Sequence, residues 1–178
     1  MRMGIQIGAR PDAGFDDPLG MLHDCHRRIE HFLNIICVVA DRAAGRPLSE
    51  EESAAIQAAL SYFRTGGQRH NADEEQSLFP RMRAAGVDPV PEIGALEHDH
   101  RDAELLHAKV DSLYSSWIAS QFLPPEQQSE LKAATDQLRS LYGQHIQIEE
   151  KIVFPRAAQT LTRETLAAIG QEFRQRRA

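Results

Sequence analysis

One eleven-residue pattern occurs twice in this chain. His70-Asn-Ala-Asp-Glu74-Glu75-Gln-Ser-Leu78-Phe79-Pro80 is matched by His145-Ile-Gln-Ile-Glu149-Glu150-Lys-Ile-Val153-Phe154-Pro155, and both read HxxxEExx(L/V)FP. Residues four apart share a helix face, so each copy presents an imidazole and a carboxylate in one direction. A duplicated two-helix unit with pseudo-two-fold symmetry sets two such pairs side by side, one per half. This feature constrains the architecture more than any other in the chain.

The surrounding sequence is helical. Ala, Leu, Glu, Gln and Arg dominate, all good helix formers, and only 6% of residues are aromatic. A length of 178 residues suits one domain with a real core. A first helix begins after Asp16-Asp17-Pro18, with Pro in its first turn, and stops at Gly45-Arg46-Pro47. Ser49 caps a second helix, with Glu52 as its capping-box partner; that helix ends near Gly86. Pro89-Val90-Pro91 marks the next connection. A third helix covers about 92–121, Pro124-Pro125 breaks the chain, and a fourth runs over about 125–157. A short fifth helix covers about 162–175, and its closing Arg174, Arg176 and Arg177 read as solvated. The predicted organisation is a flexible arm at 1–15, a bundle at 16–157, and a C-terminal helix and tail at 158–178. The fold class is all-α, an antiparallel up-down-up-down four-helix bundle with a short C-terminal helix.

Each long helix carries an apolar stripe, and each stripe is interrupted. Leu22, Ile29, Leu33, Ile36 and Ala40 form the first, with His26 set among them. Ile56, Leu60, Phe63 and Gly67 lead to His70 and Glu74. Leu96, Ala103, Leu106, Val110, Leu113 and Trp117 enclose His100. Leu131, Ala134, Leu138 and Leu141 lead to His145 and Glu149, with Ile152 beyond. Burying six such groups is costly unless each is paired or bound to a metal. His26 and His70 each lie about 20 residues, or roughly 30 Å, from the connection joining their helices, and His100 and His145 match in the same way. All four histidines therefore fall in one layer.

With this doubled motif and these histidines, the chain resembles the hemerythrin-like HHE cation-binding domain over about residues 18–157. The resemblance implies a non-haem di-iron site, possible oxo or hydroxo bridging included. His26, His70, His100 and His145 match the family's histidines, and Glu74 and Glu149 match its bridging carboxylates. Two choices stay open. On the third helix, His98 competes with His100, because residues two apart face away from each other. On the first, His23 is an edge alternative to His26, whereas His31 points elsewhere. Glu75 and Glu150 are supporting or surface groups, and His107 lies too far along to serve the same metal. The oxygen carriers of the family have an extra His pair on the third helix, which this chain lacks at i, i+4, so plain oxygen transport is in doubt.

Imidazole with carboxylate suits Fe, with Zn or Mn ranked behind it, and no thiolate is placed to select a soft metal. Two metals with two His each and two shared Glu use all six side chains. Similar proteins bind or sense O2, NO or peroxide, handle iron, aid iron–sulfur repair, or catalyse reactions of peroxide or NO; the residues leave these classes open. A net charge of −6 argues against a nucleic-acid or anionic-membrane surface. The first residues lack an apolar signal segment. Cys25 and Cys37 read as buried thiols of a reducing cytoplasm, and neither belongs to a paired motif of the kind a repair role needs. A protein partner is not identified, and the chain is expected to be a monomer or a dimer.

Overall fold

The computed structural model describes residues 12–86 and 91–178, with nothing stated of the Pro91 side chain. Most of the predicted arm and the connection at residues 87–90 lie outside them. Among the described residues the chain is all helical, with no strand. Helix α1 spans Pro18–Arg42, α2 spans 50–84, α3 spans Pro91–Ser120, α4 spans 125–160 and α5 spans Arg163–Gln175. No helix among the described residues is long and apolar enough to cross a membrane.

Local chemistry sets these boundaries. Asp17 caps α1, its side chain accepting from the Gly20 amide, and Pro18 fills a first-turn position whose amide needs no helical acceptor. Ser49 and Glu52 form the full capping box of α2. Gly45 turns the chain at φ +71°, and a Cβ there would collide with Leu123 O and Gln128. Through that turn Leu123 N–H donates to Gly45 O at 3.0 Å, and Trp117 Nε1 donates to Arg46 O at 2.8 Å. The α1–α2 and α3–α4 connections are thereby joined at one end of the molecule.

The predicted smooth course of α2 and α4 is corrected at the motif. Both helices widen into one π-helical turn, at Glu74–Leu78 and Glu149–Val153. Each turn starts on the motif glutamate, whose carbonyl accepts from the Phe79 or Phe154 amide. The cause is the motif's proline. Pro80 and Pro155 have no N–H for the residue four back, and their rings clash with its carbonyl, so a wider turn absorbs the defect. A third π turn, Phe63–Gly67, has no counterpart in α4.

The stripes become two apolar clusters. One contains Ile29, Ile36, Ile56, Val110, Tyr114, Trp117 and Leu138. The other contains Leu22, Leu78, Phe79, Leu96, Val153 and Phe154, and is closed by Ile169 and Phe173 of α5. Burying a side chain such as Phe173 contributes about 1.5–3 kcal/mol. Gly170 admits α5 to the N-terminal side of α1, because any Cβ there would strike the Phe15 carbonyl.

The reading of the terminal arginines as solvated is overturned. Arg176 Nη1 and Arg177 Nη2 pair with the two oxygens of Asp73 at 2.8 and 2.6 Å, and Asp73 is wholly buried. Arg176 also donates to Ser77 Oγ at 2.7 Å, and Glu172 bridges Ser77 and Arg81. Only Arg174 matches the expectation in part, lying over the Phe15 ring. In the second copy of the motif Ile148 and Ile152 stand where Asp73 and Ser77 stand in the first, so α5 has its polar docking site on α2 alone.

The two sides of this ion pair differ in what they leave behind. The arginines are about one-fifth exposed and can turn to water if Asp73 is lost. Replacing both by Met keeps their stems but strands a buried carboxylate. Arg176→Met/Arg177→Met is therefore expected to cost about 3–5 kcal/mol, and Asp73→Ala less, as measured by denaturant unfolding; equal costs would reject this ordering.

Candidate metal centre

Between the two apolar clusters lies a polar layer. His26 of α1, His70 and Glu74 of α2, His100 of α3, and His145 and Glu149 of α4 are all buried. The structure brings all six sequence-predicted side chains together. Ligand-capable atoms of His26, His70, Glu74 and Glu149 lie within 4.8 Å of one another, as do those of Glu74, His100, His145 and Glu149. Two four-residue groups thus share two carboxylates, one group in each half.

Glu149 reaches His26 Nε2 at 3.0 Å and His145 Nε2 at 3.2 Å. Glu74 reaches His100 Nε2 at 3.4 Å and His70 Nε2 at 3.5 Å. Each glutamate therefore touches a histidine of both halves. Yet all four carboxylate oxygens, and His26 Nε2, lack an aligned hydrogen-bond partner although buried. Unsatisfied buried carboxylates are among the costliest groups in a fold. Their convergence with imidazole nitrogens suits a cation of borderline softness.

The outer nitrogens have carboxylates of their own. His26 Nδ1 donates to Glu150 Oε1 at 2.9 Å, and His100 Nδ1 to Glu75 Oε1 at 2.7 Å. Each carboxylate comes from the other half's motif, so the two copies brace each other. His145 Nδ1 lies 3.3 Å from Asp99 Oδ2. Donation through Nδ1 fixes the tautomer that leaves Nε2 free to face inward. His70 is the exception, its Nδ1 buried without a partner. The position matching Asp99 in the first half is Cys25, whose thiol is raised by burial against the opposing pull of Arg28.

Charges in the layer follow from burial and proximity. Burial pulls His26 and His145 down, but Glu149 and Glu74 outweigh it and leave both above the usual imidazole range. His70 is held well below that range by burial and by neighbouring histidines. Burial and Glu149 push Glu74 up, whereas His145 and His26 overcome burial and hold Glu149 down. Two carboxylates of unequal proton affinity in one dry layer are a strained arrangement that dications would relieve.

The open choices have geometric answers. His98 points outward with 65% of its side chain exposed, paired with Asp102, while His100 enters the layer. His23 sits at the rim, 3.1 Å from Glu150. His31 is exposed. Glu75 and Glu150 are both surface residues and supports of histidines. Sequence reasoning missed Asp99 and Tyr142; the His98-Asp99-His100 triplet was the available signal for the first. Tyr142 OH meets His107 Nε2 at 3.0 Å, one turn from His145. A cavity of about 620 Å³ between α2 and α3 reaches His100 and Glu75, and is lined by Phe63, Gly67, His107 and Tyr142 among others.

A family model described as the hemerythrin HHE cation binding domain matches residues 17–157. No curated protein matches the chain in a sequence search.

Two outcomes follow. Removing the acceptor of His26 or His100 by Glu150→Ala or Glu75→Ala is expected to lower metal affinity by about 10–100-fold, read by competition with a chelator, while His98→Ala has no such effect. Burial drives His107 down to about 4, against an opposing pull from Asp111. Unfolded imidazole takes up its proton first as pH falls, so folding loses roughly 3 kcal/mol between about pH 6.5 and 4 from this residue. His107→Gln should flatten that part of the stability profile in pH-dependent denaturation.

Proposed function

The chain belongs to the hemerythrin HHE cation-binding domain family, and from that membership we propose that it is a non-haem di-iron protein that binds or senses O2, NO or peroxide. The observation that carries the reading is the pair of buried His/His groups sharing Glu74 and Glu149. His26 and His70 would hold one metal, His100 and His145 the other, and the two glutamates would bridge them. These six protein ligands would leave each metal able to take a small exogenous ligand. When bound, iron supplies reversible ligand binding and one-electron redox chemistry. The protein contributes buried surroundings and an imidazole orientation fixed through Glu150, Glu75 and Asp99. The helices are read as an up-down-up-down bundle, and the setting as a reducing cytoplasm.

Iron is favoured over zinc by the donor set. A structural zinc site closes at four ligands, whereas six buried donors and two shared carboxylates fit a pair of metals. The second reading, an enzyme acting on peroxide or NO, rests on the cavity. At about 620 Å³, and with His100 in its lining, it has room for a second reactant larger than O2, NO or peroxide, as an enzyme with a reducing co-substrate needs.

Anaerobic loading with ferrous iron is expected to give two metals per chain, followed by optical changes on adding O2, azide or NO. Bound zinc with a spectrum silent to all three would overturn the di-iron reading. Glu74→Ala or Glu149→Ala should reduce the metal content toward one or none; an unchanged stoichiometry would reject bridging.

A further inference from the structure

Outside the six histidine and glutamate side chains, one partly buried polar pair is left without a role. Tyr142 is 7% exposed, and its hydroxyl meets His107 Nε2 at 3.0 Å. The Tyr142 ring stands edge-on to His145, with centroids 6.4 Å apart. On its other side, Phe63 stacks on His107 at 4.1 Å and lies 6.4 Å from Tyr142. Both members of the pair line the cavity between α2 and α3. One end of the pair therefore touches the metal layer, and the other faces a space that a small molecule can enter.

The internal repeat supplies a control. The offset that relates His70 to His145 relates Gly67 to Tyr142, and the offset that relates His26 to His100 relates Leu33 to His107. The first half fills these positions with Gly and Leu and still builds its share of the layer. The fold does not need a phenol and an imidazole here.

We infer that Tyr142 and His107 form a redox relay, in which Tyr142 passes one electron at a time from the cavity to peroxide reacting at the metal layer. This rests on the di-iron reading above. In each step Tyr142 loses one electron, its O–H bond breaks, and the proton forms an N–H bond at His107 Nε2. The products are a neutral tyrosyl radical and an imidazolium. A small phenolic reductant in the cavity gives up one hydrogen atom and leaves as its phenoxyl radical: its electron and the proton held on His107 restore the Tyr142 phenol, and its own proton passes through water to the peroxide. Two such steps deliver the two electrons and two protons that convert one hydrogen peroxide to two waters. His107 suits the acceptor role because burial keeps it neutral near pH 7. The 3.0 Å contact between the Tyr142 hydroxyl and His107 Nε2 gives the phenol proton a direct acceptor, so electron loss from Tyr142 is coupled to proton transfer along that contact.

The test is electron paramagnetic resonance of the iron-loaded protein frozen after mixing with hydrogen peroxide, with metal content measured on the same samples. A tyrosyl signal is expected in the wild type, absent in Tyr142→Phe and retained in Tyr62→Phe. His107→Gln keeps an acceptor for the hydroxyl but cannot take its proton, and is expected to slow radical formation by about 100-fold. Guaiacol should quench the wild-type signal. An equal signal in Tyr142→Phe, or none in an iron-loaded wild type that consumes peroxide, overturns the relay and leaves the di-iron reading standing. Should the chain take up no iron, that reading fails instead. The pair is then examined in the metal-free protein with a photogenerated one-electron oxidant. Oxidation of Tyr142 with a solvent isotope effect that His107→Gln abolishes supports the relay, and its absence overturns it.

Discussion

Everything in this molecule is arranged around two carboxylates that should not be where they are. Glu74 and Glu149 are wholly buried, and none of their oxygens has an aligned hydrogen bond. In dry protein such groups cost several kcal/mol each unless a counter-charge is supplied. His26 and His145, which Glu149 and Glu74 hold above the usual imidazole range, supply part of it. The apolar clusters on either side exclude water from the layer, and so strengthen every electrostatic interaction within it. A cation-binding family is the natural home of such a layer.

The same motif that places the glutamates also distorts the helices under them. Pro80 and Pro155 force a π turn that begins on Glu74 and Glu149. The doubled motif is thus a carboxylate together with the backbone device that shapes the turn beneath it. The following residues, Glu75 and Glu150, reach across to His100 and His26 of the opposite halves. The bracing of His26 and of His100 therefore each requires residues of both halves.

The two halves are alike in the layer and unlike around it. Asp99 supports His145, whereas Cys25 occupies the matching place in the first half and His70 Nδ1 is left without a partner. Asp73 anchors the C-terminal arginines, whereas Ile148 stands at its counterpart. Tyr142 and His107 meet each other at 3.0 Å, whereas Gly67 and Leu33 hold their places in the first half. The duplication therefore carries two chemically distinct surroundings. The first is braced by α5, and the cavity lies between α2 of the first half and α3 of the second.

The helix boundaries, the capping box at Ser49 and Glu52, and the identities of the six converging side chains were legible in the sequence, because they depend on local spacing. A period of 3.6 residues and a repeated motif are properties of the chain itself. The apolar stripe of α3 favoured His100 over His98, and the packing of that helix turns His100 into the layer and His98 outward. What the sequence could not contain was which surface groups meet across helices. Arg176 and Arg177 read as solvated because nothing near them in the chain is acidic and buried; Asp73 lies about a hundred positions away. Tyr142 and His107 were invisible as a pair for the same reason. Local periodicity determined the helices and the polar layer, whereas packing over long sequence separations decided which residues brace, seal and reach that layer.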